Sequence, residues 1–235
     1  VHFVANQQAK KRLIQMGELE DAIFIIGSPD VDIMFSDTLP ELTTVKEYYE
    51  IAYDAYAVAM FHPVTTEATF MQDYAANFVE ALLTDHHNYV VVYPNNDMGS
   101  QTILKSYEKL SNNSRFRIFP SLRFEYFLTL LKNAQFVIGN SSAGIREAPF
   151  YGIPTVNIGS RQSGRSANPN LLHCTYDTIS ISNAIERAVF AVRFDSMHDF
   201  GSGSSDVRFI SALQNPITWK TESQKRFLDI KLNHA

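Results

Sequence analysis

The residues best suited to chemistry lie between Gly139 and Glu147, in the run Gly-Asn-Ser-Ser-Ala-Gly-Ile-Arg-Glu. An apolar run from Ala134 to Ile138 precedes it and another, Ile153 to Ile158, follows. The stretch therefore reads as a strand, a sharp turn and a helix N-terminus. Such a junction presents backbone N–H groups to an anion. Gly139 turns without a Cβ, the hydroxyls of Ser141 and Ser142 can cap the helix or bind the anion, and Gly144 lets a ligand approach the backbone closely. Glu147, a little over one turn into an expected helix over 144–151, can accept from both hydroxyls of a ribose. The diphosphate and ribose of a nucleotide fit this chemistry. A capped helix whose glutamate complements its dipole fits it too, although with Ser142 as cap Glu147 stands two residues past the capping-box position.

Three more residues stand where strands should end. His62 closes the run Tyr56 to Phe61 and precedes Pro63, at the mouth of any cleft there. With a pKa near working pH it can hold or protonate a leaving phosphate, though by itself a structural histidine is the simpler reading. Asn95 and Asp97 follow the run Tyr89 to Tyr93, where turn formation explains them nearly as well as ligand binding does. Arg161 follows the run that ends at Ile158, and Arg165 lies four residues on. Arg161, nearer the strand end, suits a bidentate contact to phosphate or ribose. The other histidines have no metal-ligand spacing, since His86 and His87 are adjacent and His2, His173, His198 and His234 stand alone. Neither a metal nor a cofactor is expected.

The elements that would position these residues alternate. Strands are expected at Tyr56 to Phe61, Tyr89 to Tyr93, Phe116 to Phe119, Phe136 to Ile138 and Thr155 to Ile158, with helices over 67–83, 101–110, 123–132 (Ser121 near its cap) and 144–151 between them. This is the signature of βαβ units, and the expected class is α/β with a Rossmann-like doubly wound parallel sheet. In such sheets ligands bind beyond the carboxyl ends of the strands, which is where His62, Asn95, Ser141 and Arg161 fall. Before this block, Val1 to Val4 reads as a strand followed by a helix over 7–16 that Gly17 closes in the left-handed region. A second apolar run, Ala22 to Ile26, ends in Gly27-Ser28-Pro29-Asp30, and residues 27–40 show little period, as a domain crossing would. Val45, Tyr48, Tyr49 and Ala52 recur at helical spacing as a core stripe. After the block come a short apolar piece at Leu171 to His173, a helix over 179–192 capped by Asp177 or Thr178, a loop over 201–205 and a final amphipathic helix over 221–232. The expected divisions are 1–38, 39–205 and a C-terminal helical segment, 206–235.

Of the 235 residues 45% are hydrophobic and 19% charged, enough apolar material for a large core. The formal net charge of -5 argues against phosphate-backbone binding along a nucleic acid, and no apolar run approaches a membrane span. The lone Cys174 allows no internal disulfide, and a cytoplasmic location is expected. The first residue is Val1 rather than Met, and it opens directly into a strand, as a fragment would.

Four ordered motifs carry a family resemblance: His62-Pro63-Val64-Thr65-Thr66; Pro94-Asn95-x-Asp97-x-Gly99-Ser100; Gly139-Asn140-Ser141-Ser142-x-Gly144-x-Arg146-Glu147; and Gly152-x-Pro154 with Asn157-x-Gly159-x-Arg161-Gln162-x-Gly164-Arg165. Together they resemble the UDP-N-acetylglucosamine 2-epimerases, in the hydrolysing branch that makes N-acetylmannosamine for sialic acids. The likeness extends over nearly the whole chain and includes Gly27-Ser28-Pro29-Asp30-Val31-Asp32. It implies the C-terminal half of a GT-B-like two-domain fold, homo-oligomeric when full length, with UDP and a UDP-sugar as ligands. It further implies that Ser141 and Ser142 contact the diphosphate, Glu147 the ribose, Arg161 the nucleotide end and Asn95 the base region, while His62 faces the phosphates and the scissile bond. The carboxylates that move protons belong, in that family, to an N-terminal domain of which residues 1–18 resemble the end. The chain alone is then expected to be inactive. The donor-binding domain of a GT-B glycosyltransferase and a non-catalytic nucleotide-sugar module are the alternatives.

Overall fold

The structure, a computed structural model, describes residues 1–165, 168, 171–222, 224 and 228. The chain forms two compact units, one of Val1–Thr38 with the chain from His198 onward, the other Leu39–Met197.

In the first unit β1 (His2–Val4) and β2 (Ile23–Ile25) pair in parallel across α1 (Gln7–Gln15). Asn6 caps α1 by accepting from the Ala9 N–H at 2.9 Å, and Gly17 leaves the helix at φ 86°, as its position predicts. The aperiodic segment after Gly27 holds a helix that its pattern did not announce, α2 (Pro29–Met34). Six residues are too few to show a helical period; the signal was Pro29 at the start of the first turn.

In the second unit α3 (Leu42–Tyr48) leads into six strands and their crossovers: β3 (Ala57–Met60), α4 (Met71–Thr84), β4 (Tyr89–Val92), α5 (Ser100–Tyr107), β5 (Phe116–Phe119), α6 (Phe124–Lys132), β6 (Val137–Gly139), α7 (Glu147–Phe150), β7 (Thr155–Ile158), β8 (Leu171–Cys174) and α8 (Thr178–Phe190). The stripe expected over 45–53 ends early, because Glu50 takes φ 52° and turns the chain; Ala52 is exposed. The Leu171 piece proves to be a sixth strand, and Asp177 caps α8 by accepting from the Ser180 N–H at 2.8 Å. The chain then re-enters the first unit through α9 (Ser205–Gln214), whose first residue donates to Asp32 from its backbone N–H and its hydroxyl. The helix expected over 221–232 falls mostly outside the described residues.

All strand pairs of the large sheet are parallel, in the order β5-β4-β3-β6-β7-β8. Numbered within this unit, that is 3-2-1-4-5-6, the doubly wound Rossmann order. Alternate residues of β3 feed opposite faces. Ala57 and Ala59 pack with Phe61, Phe78, Val79 and Ile185, while Val58 and Met60 pack with Val45, Leu130, Leu131 and Ile153. Both faces are therefore buried, as a parallel sheet requires. The winding reverses between β3 and β6, and their carboxyl ends flank the crevice that such a reversal opens.

Gly139 ends β6 at this reversal with φ 135°, and a Cβ there would lie 1.8 Å from the carbonyl oxygen of Met60. Adding that atom must part the two central strands. Gly139→Ala is expected to lower unfolding free energy by about 2–4 kcal/mol, through overpacking and backbone strain together, read from the midpoint of a urea titration.

Candidate functional site

The crevice is organised by Asn140, the first residue beyond β6, which is fully buried. Its backbone N–H donates to Met60 O at 3.1 Å. Its side-chain amide bridges His62, the second residue beyond β3: Oδ1 accepts from the His62 N–H at 2.7 Å and Nδ2 donates to His62 O at 2.8 Å. Its own carbonyl oxygen accepts from Arg161 Nη1 at 3.1 Å and from Gln162 Nε2 at 2.8 Å. Gln162 is buried, and its Oε1 accepts from Arg165 Nη1 at 3.2 Å. One residue thus ties together the loops that follow β3, β6 and β7.

The loop after β4 joins through His62. The Asn95 N–H donates to His62 Nδ1 at 3.1 Å, and the Asn95 side chain donates to Asp97 Oδ2 at 2.5 Å. Gly99, at φ 100°, lets this loop close on Pro63 and Met71. A ring nitrogen that accepts a hydrogen bond carries no proton, so the neutral His62 ring holds its hydrogen on Nε2. Burial, reinforced by the positive field of Arg161 and partly offset by the Asp97 carboxylate, pushes the pKa of His62 down to about 4. At neutral pH the imidazole is therefore an uncharged N–H donor, not the proton source that a pKa near 7 would make it.

The loop after β6 differs from its expected form. Ser142–Gly144 is a single 3-10 turn, whose cap, Ser141, accepts from the Ala143 N–H at 3.3 Å; the α-helix begins only at Glu147. Pro149 explains the break. Its ring would meet the carbonyl of Ile145 in a continuous helix, but it is tolerated in a first turn that starts at Glu147. Glu147 therefore opens the helix rather than lying a turn inside it. It is buried beside Tyr151, and its charge adds to burial in holding the Tyr151 phenol above its ordinary pKa. Gly144 is buried too, and a Cβ there would come 2.6 Å from Thr155 Cγ2, so the close approach that glycine permits is to β7. His62, Asn95 and Arg161 are linked through hydrogen bonds, and Ser141 and Ser142 follow Asn140 directly in the chain. Asn140 and Gln162 were quoted in the sequence motifs but given no role. Their signal was a pair of uncharged amides trailing buried strands, Asn140 directly after β6 and Gln162 four residues after β7.

With this geometry the family can be stated. A profile described as UDP-N-acetylglucosamine 2-epimerase matches residues 1–214. The chain belongs to the UDP-N-acetylglucosamine 2-epimerase family. A relative of that name from Neisseria meningitidis serogroup B is 49% identical over 235 residues, which cover 99% of this chain and 62% of the relative. The UDP-N,N'-diacetylbacillosamine 2-epimerase (hydrolyzing) of Legionella pneumophila is 28% identical over 91% of this chain and 57% of its own. The fold matches that of Methanocaldococcus jannaschii UDP-GlcNAc 2-epimerase, solved in complex with UDP-GlcNAc and UDP, at a TM-score of 0.67 and 17% identity over 90% of this chain and 60% of that one. The six-stranded unit is one Rossmann-like half of the GT-B-like fold of these epimerases. The chain spans about three-fifths of the length of the curated relatives it matches. Among the described residues no cluster of three or more His, Cys, Asp or Glu is arranged to hold a metal, and no helix is long and apolar enough to cross a membrane.

Two outcomes are expected of the site. A ring-resonance NMR titration should place the His62 midpoint near 4 instead of 6.5. Because the unfolded chain binds this proton first, His62 adds stability above about pH 6.5 that is lost as pH falls toward 4. Asn140→Ala leaves the His62 N–H and C=O unpaired and should cost about 2–3 kcal/mol in chemical denaturation.

Proposed function

We propose that the Leu39–Met197 unit is the UDP-gripping half of a hydrolysing UDP-N-acetylglucosamine 2-epimerase of the sialic-acid branch, which converts UDP-N-acetylglucosamine and water to N-acetylmannosamine and UDP. The observation that carries this reading is the convergence of His62, Asn95 and Arg161 on Asn140, at the reversal point of the sheet, in a chain of this family. The hydrolysing branch is supported by the motifs around His62 and Arg161 and by the hydrolysing relative in Legionella.

In this reading the serines at 141 and 142 and the neighbouring backbone hold the diphosphate. Arg161 spends one of its five N–H donors on Asn140 O and keeps the others for the nucleotide. Glu147 accepts from the ribose hydroxyls, and Asn95 borders the base. A base outside this chain removes the proton from C2 of the sugar, the C1–O bond breaks, and UDP leaves with a glycal to which water adds from the other face. His62 is the catalytic residue here. Its Nε2–H points charge-free donor capacity at the leaving phosphate, and the developing anion raises the ring's pKa just when a proton becomes useful.

This chain by itself should bind UDP without turning over the sugar nucleotide, and soluble cytoplasmic expression is expected to suffice for the measurement. In calorimetric titrations Glu147→Ala and Arg161→Ala should each weaken UDP binding about 10- to 100-fold, the loss of one charge-assisted contact. UDP affinity unchanged from that of the unaltered chain in both variants would sink the site assignment. Appearance of N-acetylmannosamine in an NMR assay of the chain alone would sink the division of labour.

A further inference from the structure

A second set of contacts holds the loop that carries Arg161, and none of it belongs to the grip described above. Glu67 lies in the 3-10 segment Thr65–Phe70, where its own backbone departs from helical geometry at φ -120° and ψ 21°. Its carboxylate reaches the loop that follows β7. Glu67 Oε1 accepts a hydrogen bond from Ser160 Oγ, and the Glu67 carboxylate lies near enough to the Tyr176 hydroxyl for its charge to act on that phenol. The Ser160 N–H is in turn directed at Tyr176 Oη at 3.4 Å. Burial, with Glu67 adding to it, raises the Tyr176 phenol to about 12, so it remains a donor throughout the working range.

The support behind this contact is rigid. Tyr176 stacks on Tyr74 of α4 with ring centroids 3.7 Å apart and planes at 4°, and it meets Phe61 edge-on at 6.3 Å. Gly159, at φ 69°, lies directly against the Tyr176 ring; a Cβ there would come 2.0 Å from Cζ. Residues 159 and 160 are therefore clamped between Glu67 and Tyr176, and the next residue is Arg161. The other oxygen, Glu67 Oε2, is buried and has no hydrogen-bond partner. Desolvating a carboxylate oxygen without a partner opposes folding, so the stability of the fold alone does not account for Glu67.

We propose that Glu67 is a positioning residue for the nucleotide site, acting through Ser160 to fix the loop that presents Arg161 to the crevice. The proposal rests on the reading of Arg161 as a nucleotide contact. It adds that the loop after β3 supplies two functions, His62 at its start and a latch for the loop after β7 five residues later. The latch sits at the solvent end of the crevice and the Asn140 contact at its base, so Arg161 is held from both ends.

The test uses the whole chain in four forms: unaltered, Glu67→Ala, Ser160→Ala and the double variant, with Glu67→Gln as the conservative control. UDP affinity is read by calorimetry and the His62 midpoint by NMR. Glu67→Ala should weaken UDP binding about tenfold, and the double variant should be no weaker than Ser160→Ala alone, because the two residues act in series. Glu67→Gln, whose amide oxygen still accepts from Ser160, should recover most of the affinity. Without nucleotide, Glu67→Ala should move the His62 midpoint up from about 4 by the smaller part that Arg161 contributes, as Arg161 leaves its vicinity while Asp97 stays and burial still holds the midpoint down; loss of stability alone would not shift it. An unchanged His62 midpoint in Glu67→Ala overturns the proposal, and so does an equal loss of affinity on mutating Glu67 in the Ser160→Ala background. If the unaltered chain fails to bind UDP, the nucleotide reading falls, while the His62 midpoint still decides whether Glu67 places Arg161.

Discussion

The site depends on one buried amide. Where the winding of a doubly wound sheet reverses, the chains leaving the two central strands turn to opposite faces, and the ladder that paired them stops. The backbone N–H and C=O of His62 then lie at the floor of a crevice with no strand to answer them. Asn140 supplies both missing partners from its side chain, one acceptor and one donor, as a further residue of β6 would have done. An aspartate at this place would lack the donor, and a leucine would lack both. The backbone carbonyl of Asn140 is then available for Arg161 and Gln162. The crevice is held open and its walls are tied together by the same residue.

This arrangement sets the electrostatics. An arginine close to a histidine would ordinarily make an anion site by charge alone. Here His62 is kept uncharged, because it is buried and because Arg161 repels a second positive charge. The Asn95 N–H locks the tautomer with Nε2 as the donor. Such a ring gains a proton only when negative charge arrives beside it, which couples protonation to the presence of an anion rather than to bulk pH.

How much of this was legible in the sequence varied with the physics of each element. Strands buried on both faces show as unbroken apolar runs, and Val58 to Met60, Val90 to Val92 and Val137 to Ile138 were plain for that reason. The edge strand β8 was not, since His173 faces solvent and breaks the run. The reversal point could be inferred, because the polar residues at 62, 95, 141 and 161 all trail strands. The course of the chain through 141–150 could not be read from caps alone. Pro149 decides it, by a clash with a carbonyl four residues back that pattern matching passed over. Asn140 and Glu67 were hidden for a related reason. Their partners lie 78 and 93 residues away in the chain, and nothing in local composition ties a strand-end amide or a loop glutamate to such contacts.

Contacts of the same long range fix the first part of the loop after β7, residues 159–162. Left to itself, a segment with Gly159 and Gly164 and several small polar residues would lose considerable backbone entropy on fixing one conformation. That cost is met within the protein's own fold: Gly159 N–H donates to Cys174 O at 2.9 Å, the Tyr176 ring covers Gly159, and Gln162 is buried on Asn140. A ligand that finds Arg161 already oriented need not spend its own contacts on ordering the loop, and that difference appears directly as affinity. On the proposed reading, the two central strands, the amide between them and the aromatic stack under Gly159 act on binding without touching the ligand. They set how little a small number of polar contacts must overcome.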